Sequence, residues 1–217
     1  RVLFRSADVL VYSDSDLEYR VSLLNSLCAL KLNFQIHTSE SFFNHSLTHF
    51  SEKWELVIID STTSTFNYDE LLKYSQDGGK VIISAWSFIG ASSEEFLMYN
   101  GASFNSSYSE PYNIRYWDED HDMRIFPNDF TGFEIYSTGT SLITEYCNLN
   151  VFDNATAIAG SSINEEEGSA SIIIANEGKT LLSGALLSLY SDDQNQNGIR
   201  DSIELWENAL AFFTTDL

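Results

Sequence analysis

Basic residues are scarce in this chain of 217: 11 Lys and Arg stand against 32 Asp and Glu, a formal net charge of −21. That balance excludes the lysine- and arginine-rich footprint by which proteins hold nucleic acid. Proline is scarcer still, at 2 residues, and glycine supplies only 11, so no flexible linker is evident and one domain over 1–217 is expected. Two cysteines, Cys28 and Cys147, are too few for a disulfide framework, and neither has the close second ligand of a zinc or redox motif. Both are expected as buried thiols, with a single bridge between them left open. No run of 18 apolar residues occurs, so no segment is expected to span a bilayer. The chain opens at Arg1 with no apolar leader before its first strand-like run, as a processed or excised part of a larger multidomain protein would. What is present is core material: 43% of residues are hydrophobic and 14% aromatic, well above the composition of a disordered acidic tail.

The order of elements follows from apolar periodicity. Val9 to Tyr12 is an unbroken apolar run ended by Ser13-Asp-Ser-Asp16, as expected of a strand buried on both faces. Leu17, Val21, Leu24, Cys28 and Leu32 recur at threes and fours and predict a helix, with Asp14 or Asp16 placed to cap it. Phe34 to His37, Trp54 to Asp60 and Lys80 to Ser84 read as further strands, and Tyr68 to Tyr74 as a helix stopped by Gly78-Gly79. Alternation of this kind predicts an α/β fold: a three-layer sandwich with a mainly parallel central sheet. The second half predicts antiparallel additions, from Phe133 to Tyr136 paired with Ser141 to Tyr146, from Ala155 to Ala159, and from a hairpin of Ser171 to Ala175 with Lys179 to Ser183. An irregular insertion is expected at about 100–132, and a closing helix over Ser202 to Phe213 with Ile203, Trp206, Leu210 and Phe213 on one face.

Taken in order, the strands and helices of residues 8–84, then ATAIAG, then EGKTLLSGAL, then ENALAFF, resemble the class I glutamine amidotransferase-like fold, a flavodoxin-like arrangement, over nearly the whole chain. The resemblance implies a nucleophilic Cys on the turn after the fourth strand, with a His and an acidic residue near the end of the chain. Here that turn reads Ser84-Ala-Trp-Ser-Phe88, and no His follows His121. Without a nucleophile and a base within reach of it, amide hydrolysis is not expected, and no catalytic residue is assigned. Relatives of this kind serve as accessory domains of secreted or surface proteins, which is what the resemblance implies for this chain. A second resemblance is to the phospho-accepting receiver domain, in which Asp14, Asp16 and Asp60 would meet at the C-terminal edge of the sheet, where α/β proteins bind ligands. The chain is far longer than one receiver, and Ser-Thr-Thr replaces the Met-Pro that usually follows the acceptor. The same carboxylates could instead serve a metal-dependent hydrolase.

The sharpest motif lies near the end. Asp193-Gln-Asn195-Gln-Asn197-Gly198-Ile-Arg-Asp-Ser-Ile-Glu204 satisfies D-x-[DN]-x-[DN]-G-x₅-E throughout. Calcium takes six to eight oxygen ligands. Asp193, Asn195 and Asn197 offer side-chain oxygens, Ile199 a backbone carbonyl, Asp201 a direct or water-mediated contact, and Glu204 two carboxylate oxygens. Ca²⁺ is therefore the expected bound ion, in a structural site that ties the last strand to the last helix. Two features depart from a paired EF-hand: Leu181 to Tyr190 reads as a strand, and Arg200 holds the usually apolar eighth position. A metal-free alternative makes Asn197-Gly198 a turn and Asp201 with Glu204 a capping box.

Other features carry less. Asp118-Glu-Asp-His-Asp122 could contribute metal ligands or line a polar cleft, but like charge this dense reads as a solvated loop. Tyr108, Tyr112, Tyr116 and Trp117 are candidates for a platform facing a protein or polysaccharide partner, or for packing. The acidic turn at Ser13 to Asp16 would repel phosphate, which disfavours nucleotide and flavin cofactors. A secreted or cell-surface location is the expectation that joins these readings.

Overall fold

The structure is a computed structural model that describes residues 8–15, 17–62, 66–108, 113–131, 135–136, 146–190 and 192–214. Strands β1 (Asp8–Ser13), β2 (Asn33–His37), β3 (Leu56–Ser61) and β4 (Val81–Ala85) alternate with helices α1 (Leu17–Ala29), α2 (Glu40–His49) and α3 (Asp69–Gln76); α4 (Ala91–Tyr99) follows β4. The second half adds β5 (Ala102–Tyr108), β6 (Asn113–Tyr116), α5 (Asp122–Ile125), β7 (Ile135–Tyr136), β8 (Tyr146–Val151), β9 (Ala155–Gly160), β10 (Ala170–Ala175), β11 (Thr180–Ser183) and α6 (Asp201–Thr214).

The sheet runs in the order β2-β1-β3-β4-β11-β10-β9-β6-β7, with β8 joined to β10 and β5 to β8. Its five strands from β2 to β11 are parallel, and the pairs from β10 onward are antiparallel. Strand alternation explains the two faces. Val9, Val11, Leu56, Ile58, Ile82 and Leu181 point into one core with α1, α5 and α6, while Leu10, Val57, Ile59, Val81, Ile83 and Leu182 point into the other with α2, α3 and α4. Because both faces are covered, these strands are unbroken apolar runs, as the sequence suggested. The architecture is the three-layer α/β sandwich expected.

The differences lie where the sequence is polar. The stretch at about 100–132, expected to be irregular, carries β5, β6 and α5. β5 was hidden because Ser103, Asn105, Ser106 and Ser107 give it little apolar signal, yet it pairs with β8 from Ala102↔Val151 to Tyr108↔Tyr146. β7 pairs with β6; most of the segment from Ser141, its expected partner, lies outside the described residues, and β8 starts at that segment's last residue, Tyr146. Leu181 to Tyr190 is a strand only as far as Ser183; it then turns through Gly184 into a 3₁₀ turn at Leu187–Leu189. A β-carbon at Gly184 would strike the carbonyl oxygen of Cys147, whose own N–H donates to Gly184 O at 2.8 Å, so this crossing requires glycine. α6 is buried on most sides rather than on one stripe, and Ile203 is among its less buried residues. Cys28 is exposed on α1 while Cys147 is buried in β8, and both are free thiols, so the expectation of two buried thiols fails at Cys28.

Candidate metal centre

The acidic loop joins the 3₁₀ turn to α6 and is pinned at both ends. Asp201 N–H donates to Asp192 O and Ser202 N–H to Tyr190 O, each at 2.7 Å, which closes the loop into a compact ring of backbone. Inside it, Asp193 accepts from the N–H groups of Asn197 (2.9 Å) and Gly198 (2.8 Å), and Asn197 Oδ1 accepts from Ile199 N–H (2.8 Å). The sharp reversal passes through Gln196 at φ 57° and Gly198 at φ 88°, the left-handed geometry that suits glycine at the sixth loop position.

Three carboxylates are anchored here with little to balance them. Glu204 is 1% exposed and accepts from Asn195 Nδ2 (2.9 Å) and Asn197 Nδ2 (2.7 Å). Asp201 is fully buried; its Oδ1 accepts from Gln194 N–H at 3.1 Å, and its Oδ2 has no hydrogen-bond partner. Burial pushes the Asp201 carboxyl up to about 6, and Glu204, Asp193 and Asp192 add to the shift while the Gln194 N–H opposes it. Burial likewise raises Glu204, against the two asparagine hydrogen bonds. The capping-box alternative is not what forms. Asp201 turns to Gln194 and Glu204 to the two asparagines, while α6 begins with Ile203 and Glu204 N–H groups on Arg200 O.

The sequence-predicted donors Asp193, Asn195, Asn197, Ile199, Asp201 and Glu204 thus fall in one loop, but they are not a preassembled cage. Among the described residues no three His, Cys, Asp or Glu side chains converge as a metal-binding set. Both asparagines present nitrogen, not oxygen, to Glu204. The donor chemistry still fits a hard cation: a half-turn of each carboxamide exchanges donor for acceptor, and the bare Asp201 oxygen lacks only a positive partner. Ile199 is exposed, so its carbonyl, not its side chain, is what the loop can use.

A second carboxylate arrangement lies at the C-terminal edge of the sheet. The registers Ser13↔Asp60, Asp60↔Ser84 and Ser183↔Ser84 put one acid in a row of serines. Asp60 is fully buried and accepts from Ser13 (3.5 Å), Ser15 (3.3 Å), Ser84 (3.2 Å) and Ser188 (3.0 Å). Ser188 Oγ in turn accepts from Trp206 Nε1 at 2.9 Å, which links the acid to α6. Burial pushes Asp60 up to about 6; the hydroxyls of Ser188, Ser84 and Ser15 oppose this and Asp14 adds to it. Asp14 sits beside it, accepting from Thr62 N–H (2.6 Å) and Ser61 Oγ (3.1 Å), and Asp16 lies outside the described residues. Sequence reasoning placed Asp14 and Asp60 at this edge but missed the cage, whose serines come from segments up to 128 residues away.

The aromatic group is less available than its composition suggests. Trp117 Nε1 donates to Ser162 O at 3.0 Å, the Tyr116 hydroxyl is buried without a partner, and Tyr112 lies outside the described residues. No helix among the described residues is long and apolar enough to cross a membrane.

No protein-family model matches this chain, and no curated protein matches it. Solved structures do. The chain is similar to an α-L-fucosidase isoenzyme 2 from Paenibacillus thiaminolyticus, at TM-score 0.63 and 13% identity over 95% of this chain and 33% of that one. It is also similar to a glutamine amidotransferase from Thermotoga maritima, at TM-score 0.58 and 13% identity over 97% of this chain and 99% of that one. A carbohydrate deacetylase, Agd3, gives TM-score 0.56 and 13% identity over 97% of this chain and 32% of its own. The fold is therefore glutamine amidotransferase-like. The chain spans about a third of the length of the fucosidase and of the deacetylase.

Proposed function

We propose that this chain is a non-catalytic, calcium-binding accessory or interaction domain of a secreted or surface protein, with a protein or polysaccharide as its partner. The observation that carries the reading is the loop itself: six donors at calcium-loop spacing, closing on a buried Asp201 oxygen that has no partner. In this site Asp193, Asp201 and Glu204 would supply the charge, Asn195 and Asn197 their carboxamide oxygens, and Ile199 its carbonyl. Bound calcium would supply the positive charge that the buried carboxylates lack. With two amides among its ligands, the site suits the weak range of extracellular modules, Kd roughly 10⁻⁴ to 10⁻³ M, and so a compartment rich in calcium.

The non-catalytic part of the reading rests on chemistry at the sheet edge. The turn after β4 has no cysteine, and no histidine follows His121. A receiver-like or hydrolytic role for Asp60 is disfavoured because both of its oxygens are enclosed by serine hydroxyls away from solvent. The multidomain setting is supported by the fucosidase and the deacetylase, in which the matched stretch is one part of a longer chain. Calorimetric titration with calcium tests the proposal: one ion per chain is expected for the wild type and none for Glu204→Gln. Failure of the wild type to bind at millimolar calcium would refute it.

A further inference from the structure

A second site lies at the opposite, N-terminal edge of the sheet. Lys80 and Lys179 immediately precede β4 and β11, adjacent parallel strands, and Val81 N–H donates to Lys179 O at 2.8 Å, so the two lysines are neighbours across the ladder. They line a cavity of about 430 Å³ with Asp122, Glu177, Phe126 and Phe212. Like charges side by side on neighbouring strands repel, and this pair accounts for 2 of the 11 basic residues in the chain.

The lining charges do not satisfy one another. Among the described residues the one ion pair is Lys73 with Glu70, so neither Asp122 nor Glu177 pairs with either lysine. Lys80 Nζ is engaged, donating to Phe213 O at 2.8 Å at the end of α6, where a cation also favours the helix dipole. Lys179 Nζ makes no such hydrogen bond; it lies beside Gly78, 3.5 Å from where a β-carbon there would stand, on an exposed side chain. The cavity is therefore bordered by one lysine and two acids that make no ion pair, all three exposed, around two rings, Phe126 being 43% exposed. Its size lies within the range of small-molecule pockets, and a few fixed polar groups beside an apolar wall are the usual means of orienting a ligand.

We infer that this cavity binds a small zwitterion with an apolar ring, such as a free aromatic amino acid. Lys179 takes its carboxylate, Asp122 and Glu177 its ammonium, and Phe126 and Phe212 its ring. Both signs of charge are required of the ligand because the lining carries both; a simple anion would meet the two acids, and a simple cation the two lysines. The site is separate from the calcium loop, which lies at the other edge of the sheet, and its test does not depend on calcium.

The probe is L-phenylalanine, titrated against the full chain by NMR, with 3-phenylpropionate and 2-phenylethylamine as analogues that lack the ammonium or the carboxylate. Saturable binding of one L-phenylalanine per chain is expected, with both analogues weaker. Lys179→Met should weaken L-phenylalanine by roughly fivefold, the upper end for a solvent-exposed ion pair, and should not weaken 2-phenylethylamine, whose ammonium the lysine repels. Lys179 is exposed, so an unchanged far-UV spectrum and melting temperature are expected of the variant. Absence of saturable L-phenylalanine binding, or binding that Lys179→Met leaves unaltered, would overturn the inference.

Discussion

Asp60 and Asp201 are both held away from water with no cation beside them, but their surroundings differ. Four serine hydroxyls share Asp60, whereas one oxygen of Asp201 has nothing. For Asp60 the folded-state value, about 6, lies above the ordinary 3.8, so the native state holds its proton more tightly than the unfolded chain does. Its contribution to stability is present below the unfolded value and is lost as pH rises through about 6, a change on the order of 3 kcal/mol. Asp60→Asn removes that titration. Melting temperatures measured between about pH 4 and about pH 7 should fall less with rising pH in the variant than in the wild type. Equal slopes would mean that the serine cage holds Asp60 ionised across the range.

At the scale of elements, α6 is the member on which both carboxylate arrangements converge. Its first turn carries Asp201 and Glu204, and Trp206, one turn later, reaches Asp60 through Ser188. The segment that delivers the chain to this helix crosses beneath Cys147 at Gly184, where no side chain fits. Gly184→Ala should cost about 1–3 kcal/mol, the usual penalty for overpacking, and lower the denaturation midpoint in urea accordingly. This crossing also marks the limit of what the sequence discloses. The parallel strands were legible because burial on both faces leaves unbroken apolar runs, as in Leu56 to Ile59 and Val81 to Ile83. The run from Leu181 to Leu189 reads in sequence as one continuous strand, yet beyond Ser183 its apolar residues are buried by a turn. β5 was obscured by serines and an asparagine between its few apolar residues. The closed loop from Asp193 to Glu204 was legible because its spacing is local, whereas the Asp60 cage draws its serines from three separated segments, Ser13 with Ser15, Ser84 and Ser188, and leaves no local pattern.

The molecule as a whole carries a formal charge of −21, so its compact state is opposed by self-repulsion that the unfolded chain relieves. Monovalent salt should therefore stabilise it: raising ionic strength from about 0.01 M to about 0.15 M shortens the screening length from about 30 Å to about 8 Å and should raise the melting temperature. A melting temperature that falls with added sodium chloride would contradict this. If the proposed site is filled, calcium should act beyond that general screening, because one ion would then be held by named groups. The direct test is a thermal melt of the wild type and Glu204→Gln in excess calcium and in excess chelator, at equal ionic strength. At calcium about 100-fold above Kd the native state gains about 2.7 kcal/mol. For a chain of this size that corresponds to a rise of roughly 5–10 °C in the wild type, with no calcium-specific rise in Glu204→Gln. Equal melting of the wild type with and without calcium, or an equal rise in both proteins, would contradict a calcium site in the loop from Asp193 to Glu204.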